Sequence, residues 1–577
     1  MRKMTEKIPF NEYPRPQCKR VAWLNLNGEW DLSLKTKEHE IPQKIGKILV
    51  PYSPECALSG VDNFPGVTER NTLLYEREFT VPAGFIKGKT QIVFGAADAL
   101  CKVTLNGKFL LSHRGGYTPF VADATDAVKE GENTLTVEIF DPTEHGEQGR
   151  GKQLTHPSGI WYPAQSGIWQ TVFLESFPSG GVEDFTIVPQ KDLKSVRFSV
   201  KTEANQVKIR ITDEGKEVAA YEGAEKEVLL EVPDGKPWSP ESPKLYDAEI
   251  TAGEDTISTY FGLRTFEVKE VTEPGSKAGK RFFLNGHPYF LSGVLDQGYY
   301  AGGLMTPPDE ETVLRDLQML KGMGFNCLRK HVKVEPARFY YLCDKLGLLV
   351  LQDFVNGGKP YEFSTIALKP FFHILYDDRN YARFGRQSEW GRAQYRLEMK
   401  ETVSALKNAV SVCAWVPFNE GWGQFDAGKI YAEVKELDPT RPVDTVSGWH
   451  DQGEETSDFF SVHNYFTRLK VPKTSRAALL SEFGGYALKV PGHTAEKSFG
   501  YRRYKTEGKL LSALKKLYLK RVLPLKAKGL CGCIYTQLSD VEGEINGLVT
   551  YDRAVVKVDK AAMCALNELL TEGNERK

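Results

Sequence analysis

Polar and apolar residues alternate along the first third of the chain. "TLLYEREFTVP" (72–82), "QIVFGAADALCKVTLNGKFLLSH" (91–113) and "NTLTVEIFDP" (133–142) show a period of two, interrupted at turn pairs such as Asn106-Gly107 and Glu130-Gly131. This pattern predicts short antiparallel strands with one buried face, and so a β jelly roll or sandwich over 1–180, closed by "GIWYPAQSGIWQTVFLE". Evenly spaced runs continue through 181–272 ("DFTIVPQ", "SVRFSVKT", "QVKIRITDEG", "KEVLLEVPD") and predict an immunoglobulin-like β-sandwich. That stretch has no cysteine, which excludes the disulfide-bonded form of the fold.

From 273 to 577 the rhythm changes. Apolar runs at 289–294, 325–329, 348–354, 412–418, 442–447, 459–465, 477–483 and 529–537 alternate with helical stretches such as "ETVLRDLQMLKGMG" and "PARFYYLCDKLG", which stop at glycine. Eight strands in about 300 residues predict a C-terminal (β/α)8 TIM barrel. An open doubly wound sheet would usually carry a glycine-rich phosphate loop after its first strand, and "SGVLDQGYYAGG" lacks that spacing.

In such a barrel the carboxyl ends of the strands converge on one mouth. The stretch "AWVPFNEGWGQFD" (414–426) runs from an apolar strand straight into Asn419-Glu420. Of the four Asn-Glu pairs in the chain, only this one follows a strand-like run; the others lie in terminal or helix-like polar settings. Read in order, the strand ends supply Asp296, then Arg329, Lys330 and His331, then Asp353, then Asn419 and Glu420. His463, Asn464 and Tyr465 follow, then Glu482, and finally Tyr535 and Gln537. Loops face water, so one carboxylate there would be ordinary. Two glutamates ending apolar strands, with Arg-x-His nearby, are the equipment for glycoside hydrolysis: one protonated, one ionised. Trp390, Trp422, Trp449 and Tyr535 offer flat faces for a sugar ring, although a single tryptophan is more often core or rim.

Composition narrows the classes. Of 577 residues 41% are hydrophobic and 26% charged, and the formal net charge of -1 gives no global basic field for nucleic acid or an anionic membrane. "MRKMTEKIPFNEYPRP" has no apolar core of a secretory signal, and no window nears the ~20 apolar residues of a membrane helix, so a cytoplasmic location is expected. The nine cysteines read as reduced and buried. Cys531 and Cys533, expected on one strand face, lack a second Cys or His cluster, so no metal is expected. No Gly-x-Ser-x-Gly, His-Glu-x-x-His or P-loop competes.

Four motifs, "FNCLRKHVKVEPARFYYLCDKLGLLV", "WVPFNEGW", "LLSEFGG" and "IYTQLSDVEGEINGLVTYDR", resemble glycoside hydrolase family 2, which contains β-galactosidases, β-glucuronidases and β-mannosidases. The resemblance covers nearly the whole chain. It implies Glu420 as acid/base, Glu482 as nucleophile, and substrate contacts from Asn419, Arg329, His331 and Tyr465. It also implies a retaining, exo-acting double displacement without cofactor, for which carboxyls roughly 5–5.5 Å apart are expected. Asp296, Trp422, Trp449 and Tyr535 complete the substrate-binding set. The chain departs from the family at "GVLDQGYY", where β-galactosidases often have Asn-Arg-His-Glu, and Tyr535 stands where a tryptophan is usual. The Asn-x-Lys grip of β-glucuronidases is also missing, since Asn106 to Lys108 is a hairpin turn and Asn546 has no such lysine. The expected substrate is thus a neutral glycoside or oligosaccharide, β-galactoside first, with β-glucuronide and β-mannoside as alternatives. Expected partners exclude nucleic acid and membrane and leave homo-oligomerisation open. A non-catalytic carbohydrate-binding protein would be expected to have lost one glutamate, and a metal-dependent hydrolase would need more strand-end histidines.

Overall fold

The computed structural model describes residues 8–574 except 37–38, 273–277, 363, 369–371 and 373. The expected boundary at 272/273 borders 273–277, outside the described residues.

In the N-terminal part a six-stranded antiparallel sheet packs on a four-stranded one. The larger sheet runs, in order, through 39–50, 28–36, 71–81, 131–140, 100–105 and 108–114, and the smaller through 23–25, 172–177, 89–94 and 120–123. The period-two pattern explains the layers. Strand Gly131–Phe140 buries every second residue, and Leu135, Val137 and Ile139 meet Ile92, Phe94 and Leu174 of the opposite sheet. Residues 182–261 form a second sandwich from a three- and a four-stranded sheet around Phe198, Ile209 and Ile250.

The C-terminal part is a curled parallel sheet surrounded by helices, a TIM barrel. Its strands are β1 (Leu291–Asp296), β2 (Cys327–Lys330), β3 (Leu349–Asp353), β4 (Val412–Val416), β5 (Val446–Ser447), β6 (Phe459–Asn464), β7 (Ala477–Gly484) and β8 (Leu530–Thr536). Seven join in one sheet, ordered β4-β3-β2-β1-β8-β7-β6. β5 closes the gap by pairing with Phe418–Asn419, and the Asp458 N–H donates to Val443 O at 2.9 Å. Helices α1 (Glu310–Gly322) and α2 (Ala337–Leu346) flank β2. The Asp309 side chain caps α1, and Gly347 ends α2 at φ 70°, where a Cβ would stand 2.6 Å from Pro240 O.

Two hydrophobic layers sandwich the barrel wall. Cys327, Leu349, Leu351, Cys413, Leu479, Cys531 and Ile534 pack in one cluster, while Leu328, Val350, Leu480, Cys533 and Tyr535 join the cluster that holds α1 and α2 residues such as Leu317 and Phe339. Cys531 and Cys533 therefore do not share a face as expected. The pairing of β7 with β8 shifts register, which breaks the simple alternation along β8.

The N-terminal sandwich is fastened to the barrel through residues 149–153. Arg150 and Gly151 N–H donate to Asn356 O at 2.9 and 3.0 Å, in the loop after β3, and Asn356 Nδ2 donates to Gly151 O. Gly151 has φ 58°, and a Cβ there would come 3.0 Å from Val332 O, so the two chains can approach this closely only at glycine.

Candidate active site

Glu420 leaves β4 through a left-handed backbone (φ 48°), a conformation that a non-glycine residue holds only when its surroundings fix it. Glu482 lies within β7. Between them stands His463 of β6. Its Nδ1 is 2.7 Å from Glu420 Oε1, and its Nε2 is 3.6 Å from Glu482 Oε1. One carboxylate oxygen from each glutamate and an imidazole nitrogen all lie within 4.8 Å of one another. His463 Nε2 also lies 3.3 Å from Arg329 Nη1 and 3.1 Å from Ser447 Oγ, so the ring is fixed between the two glutamates.

Arg329, fully buried at the end of β2, organises the floor. Its Nε and Nη2 fork onto Asp353 at 2.8 and 3.0 Å, Nη2 also donates to Asn419 Oδ1 at 2.8 Å, and Nη1 donates to Glu482 Oε1 at 3.2 Å. Asp353 in turn contacts His331 Nδ1 at 2.9 Å. Burial holds His331 well below its ordinary pKa, so the ring is neutral: Nδ1–H donates to Asp353 and Nε2 remains an acceptor. With its oxygen taken by Arg329, Asn419 leaves Nδ2 buried without a partner among the described residues. An orphaned buried donor beside two carboxylates is what a ligand hydroxyl would satisfy.

The two carboxyls are pushed in opposite directions. Burial, reinforced by the Glu482 charge, raises Glu420 above the ordinary carboxylate value, and the His463 hydrogen bond only partly opposes it. Burial also acts to raise Glu482, but His463, Arg329 and the Tyr465 hydroxyl outweigh it and hold Glu482 low. Tyr465 donates directly to Glu482 Oε2 and lies 3.2 Å from Thr536 Oγ1. The Tyr501 ring lies flat on Tyr465, with centroids 3.7 Å apart.

The remaining expected residues are placed unevenly. Trp449 is half-buried, its ring 6.5 Å from that of His463. Trp422 is buried, its ring 5.9 Å from His331 and 4.9 Å from Trp161, so Trp161 of the N-terminal sandwich covers it. Asp296 does not join this group. Its carboxylate is bound by Lys330 Nζ at 2.5 Å and by the Gly298 N–H, in a buried network with Glu335 and Lys333. Tyr535 turns to the helix-facing layer, where its hydroxyl accepts from Tyr486 N–H. Thr536, the next residue along the strand, reaches Tyr465 instead. Asn464 bonds Thr467, and Trp390 is exposed under Arg114.

Sequence reasoning missed three neighbours. Lys152 and Trp161 belong to the N-terminal sandwich, and Glu544 to the loop after β8. Tyr162 Oη links the first and last, accepting from Lys152 at 3.3 Å and donating to Glu544 at 2.6 Å. Glu420, His463 and Glu482 also have the donor types of a metal site. The Arg329 guanidinium already contacts two of the three, however, which puts a fixed positive charge where an ion would bind.

Comparison with known proteins agrees across all three parts of the chain. The profile described as glycosyl hydrolases family 2, TIM barrel domain, matches residues 277–483; that of the family's sugar binding domain matches 57–178; and a third, described as glycosyl hydrolases family 2, matches 181–264. The chain belongs to glycoside hydrolase family 2. Among curated relatives, a Formosa agariphila protein bearing a beta-glucuronidase name is 30% identical over 398 residues, which are 65% of this chain and 34% of that protein. A beta-galactosidase of Thermoanaerobacter pseudethanolicus is 27% identical over 69% of this chain and 51% of its own length. The chain thus spans a third to a half of the length of these two relatives. The solved beta-D-glucuronidase of Dictyoglomus thermophilum has the same fold end to end: TM-score 0.74 at 20% identity, covering 97% of this chain and 98% of that one. Among the described residues no helix is long and apolar enough to cross a membrane.

Proposed function

We propose that this protein is a retaining, exo-acting β-glycosidase. The observation that carries the reading is one pair of carboxyls, bridged by His463, within 4.8 Å and displaced in opposite pKa directions. That spacing supports the retaining class, since an inverting pair must leave room for a water between carboxyls about 6.5–9.5 Å apart. Glu482, ionised and hydrogen-bonded by Arg329 and Tyr465, attacks the anomeric carbon. Glu420, protonated, gives its proton to the departing oxygen, then takes one from water as the glycosyl-enzyme is hydrolysed. The Asn419 Nδ2 donor and the His331 Nε2 acceptor serve the sugar's hydroxyls. For the sugar, a neutral β-glycoside with galactose first is the favoured reading, supported by the missing Asn-x-Lys. The second reading, a β-glucuronide, is favoured by the names of the relatives.

Glu420→Gln tests the acid role. Its kcat is expected to fall about 10²–10⁴-fold on glycosides with poor leaving groups and far less on 4-nitrophenyl or 2,4-dinitrophenyl glycosides. Equal losses across leaving groups would remove Glu420 from this role. The pH profile gives a second readout. Activity needs Glu482 ionised and Glu420 protonated, so wild-type kcat/KM rises with pH through the lowered Glu482 titration and falls through the raised Glu420 one. In Glu420→Gln the alkaline fall should vanish and the acid limb remain.

Activity is also expected to survive dialysis against excess chelator. Loss of turnover that returns with a divalent ion would replace the two-carboxylate scheme with a metal-assisted one.

A further inference from the structure

We infer that Lys152 and Glu544 form a cross-domain clamp that binds sugar hydroxyls and selects an uncharged pyranoside over a uronide. The inference rests on the β-glycosidase reading. Both side chains are buried, at 4% and 2% exposure. The Lys152 ammonium makes one hydrogen bond, to Tyr162 Oη at 3.3 Å, and stands 3.9 Å from Glu544 Oε2, beyond hydrogen-bond reach. Two of its three N–H donors therefore have no hydrogen-bond partner among the described residues, and the ammonium otherwise faces the Tyr162 ring at 4.7 Å. Leaving such donors unmet in a buried site is costly, and a ligand's oxygens would meet them.

Glu544 is held by a directed chain of hydrogen bonds. Gln297 Nε2 donates to Gln537 Oε1, Gln537 Nε2 to Asn546 Oδ1 and Asn546 Nδ2 to Glu544 Oε1, at 2.7, 2.7 and 3.0 Å, while Tyr162 donates to Oε2. Each carboxylate oxygen keeps acceptor capacity beyond these bonds. The pair borders the catalytic carboxyls. Lys152 Nζ is 6.0 Å from the Trp422 ring, which adjoins His331. The Glu544 segment is hydrogen-bonded on both sides to Phe499, two residues from Tyr501, which stacks on Tyr465. Burial lowers the Lys152 pKa, and the charges of Glu544, Glu482 and Glu420 act against it, which places the ammonium within the field of all three.

Charge decides the ligand class. With Glu420 protonated, the Lys152 ammonium lies in the field of the Glu544 and Glu482 carboxylates, one negative charge more than it carries. A uronide carboxylate would add a second in a water-poor site, where like charges repel strongly. A neutral ring lets Lys152 donate to one hydroxyl while Glu544 accepts from another.

The test is steady-state kinetics of wild type, Lys152→Met and Glu544→Gln on 4-nitrophenyl β-galactoside, β-glucoside, β-mannoside and β-glucuronide, with monodeoxy analogues of the best substrate. Wild type should prefer a neutral glycoside and lose about 10- to 100-fold in kcat/KM when one particular hydroxyl is removed. Lys152→Met should lose as much on the intact sugar and then be indifferent to that hydroxyl, and Glu544→Gln should do the same for a second hydroxyl. Glu544→Gln is isosteric and carries the test should Lys152→Met fold poorly. A loss in Lys152→Met confined to the glucuronide would overturn the inference, as would unchanged hydroxyl dependence in both variants. If wild type cleaves none of the panel, the underlying glycosidase reading fails; an active wild type with unaltered variants sinks only the clamp.

Discussion

Glu482→Gln is expected to lower kcat/KM on the order of 10⁴–10⁶-fold on every glycoside the wild type cleaves, the scale seen when a covalent nucleophile is removed. The amide has nearly the same size; its oxygen can still accept from Arg329 while its NH2 faces the Tyr465 hydroxyl, which can turn to accept, so folding should be little affected. What disappears is the negative charge and lone pair aimed at the anomeric carbon. The loss should not depend on leaving group, because a better leaving group does not replace a missing attacking atom. That contrast with Glu420→Gln separates the two carboxyls. A variant that kept one-tenth of wild-type activity would place the attacking group elsewhere.

The second large effect belongs to Arg329. It compensates two buried carboxylates at once, Asp353 through a fork and Glu482 through Nη1, and it fixes the Asn419 amide. Arg329→Met keeps the bulk but strands both charges, and breaking a buried pair this way costs about 3–5 kcal/mol. A clear drop in the denaturation midpoint is expected, together with a pH-rate profile whose acid limb moves up, because Glu482 loses a positive neighbour that holds its carboxyl low. Arg329→Lys should keep part of the stability and lose the fork geometry. If Arg329→Met unfolds at the wild-type midpoint, the floor of the site is not the desolvated ion network described here.

Much of this arrangement was legible because strand periodicity and strand ends are local properties. Alternation marked the sandwiches, and apolar runs ending in Asn419-Glu420 and in Glu482 marked two points that the barrel topology must bring to one mouth. Local rules failed where distant contacts decide. Strand-end position puts Tyr535 toward the sugar, but the β7–β8 register shift turns it to the helices and turns Thr536 inward. The place of Asp296 at the end of β1 suggests a substrate contact, while two buried lysines nearby gather it into an ion network. Lys152 carries no signature in "GRGKQL". It reaches the mouth only because backbone hydrogen bonds join 150–151 to Asn356, about 200 positions away. Glu544 likewise depends on a chain of three amide side chains from separate segments.

The proposed mechanism passes through a covalent sugar–enzyme bond at a Glu482 carboxylate oxygen. Incubation with a 2-deoxy-2-fluoro glycoside of the best substrate, carrying 2,4-dinitrophenolate as leaving group, followed by proteolysis and mass spectrometry, tests it directly. Stoichiometric inactivation is expected, with the added fluorosugar mass on the peptide containing Glu482, and none in Glu482→Gln. A label on any other residue, or turnover that releases the inverted anomer without a trapped adduct, would contradict it.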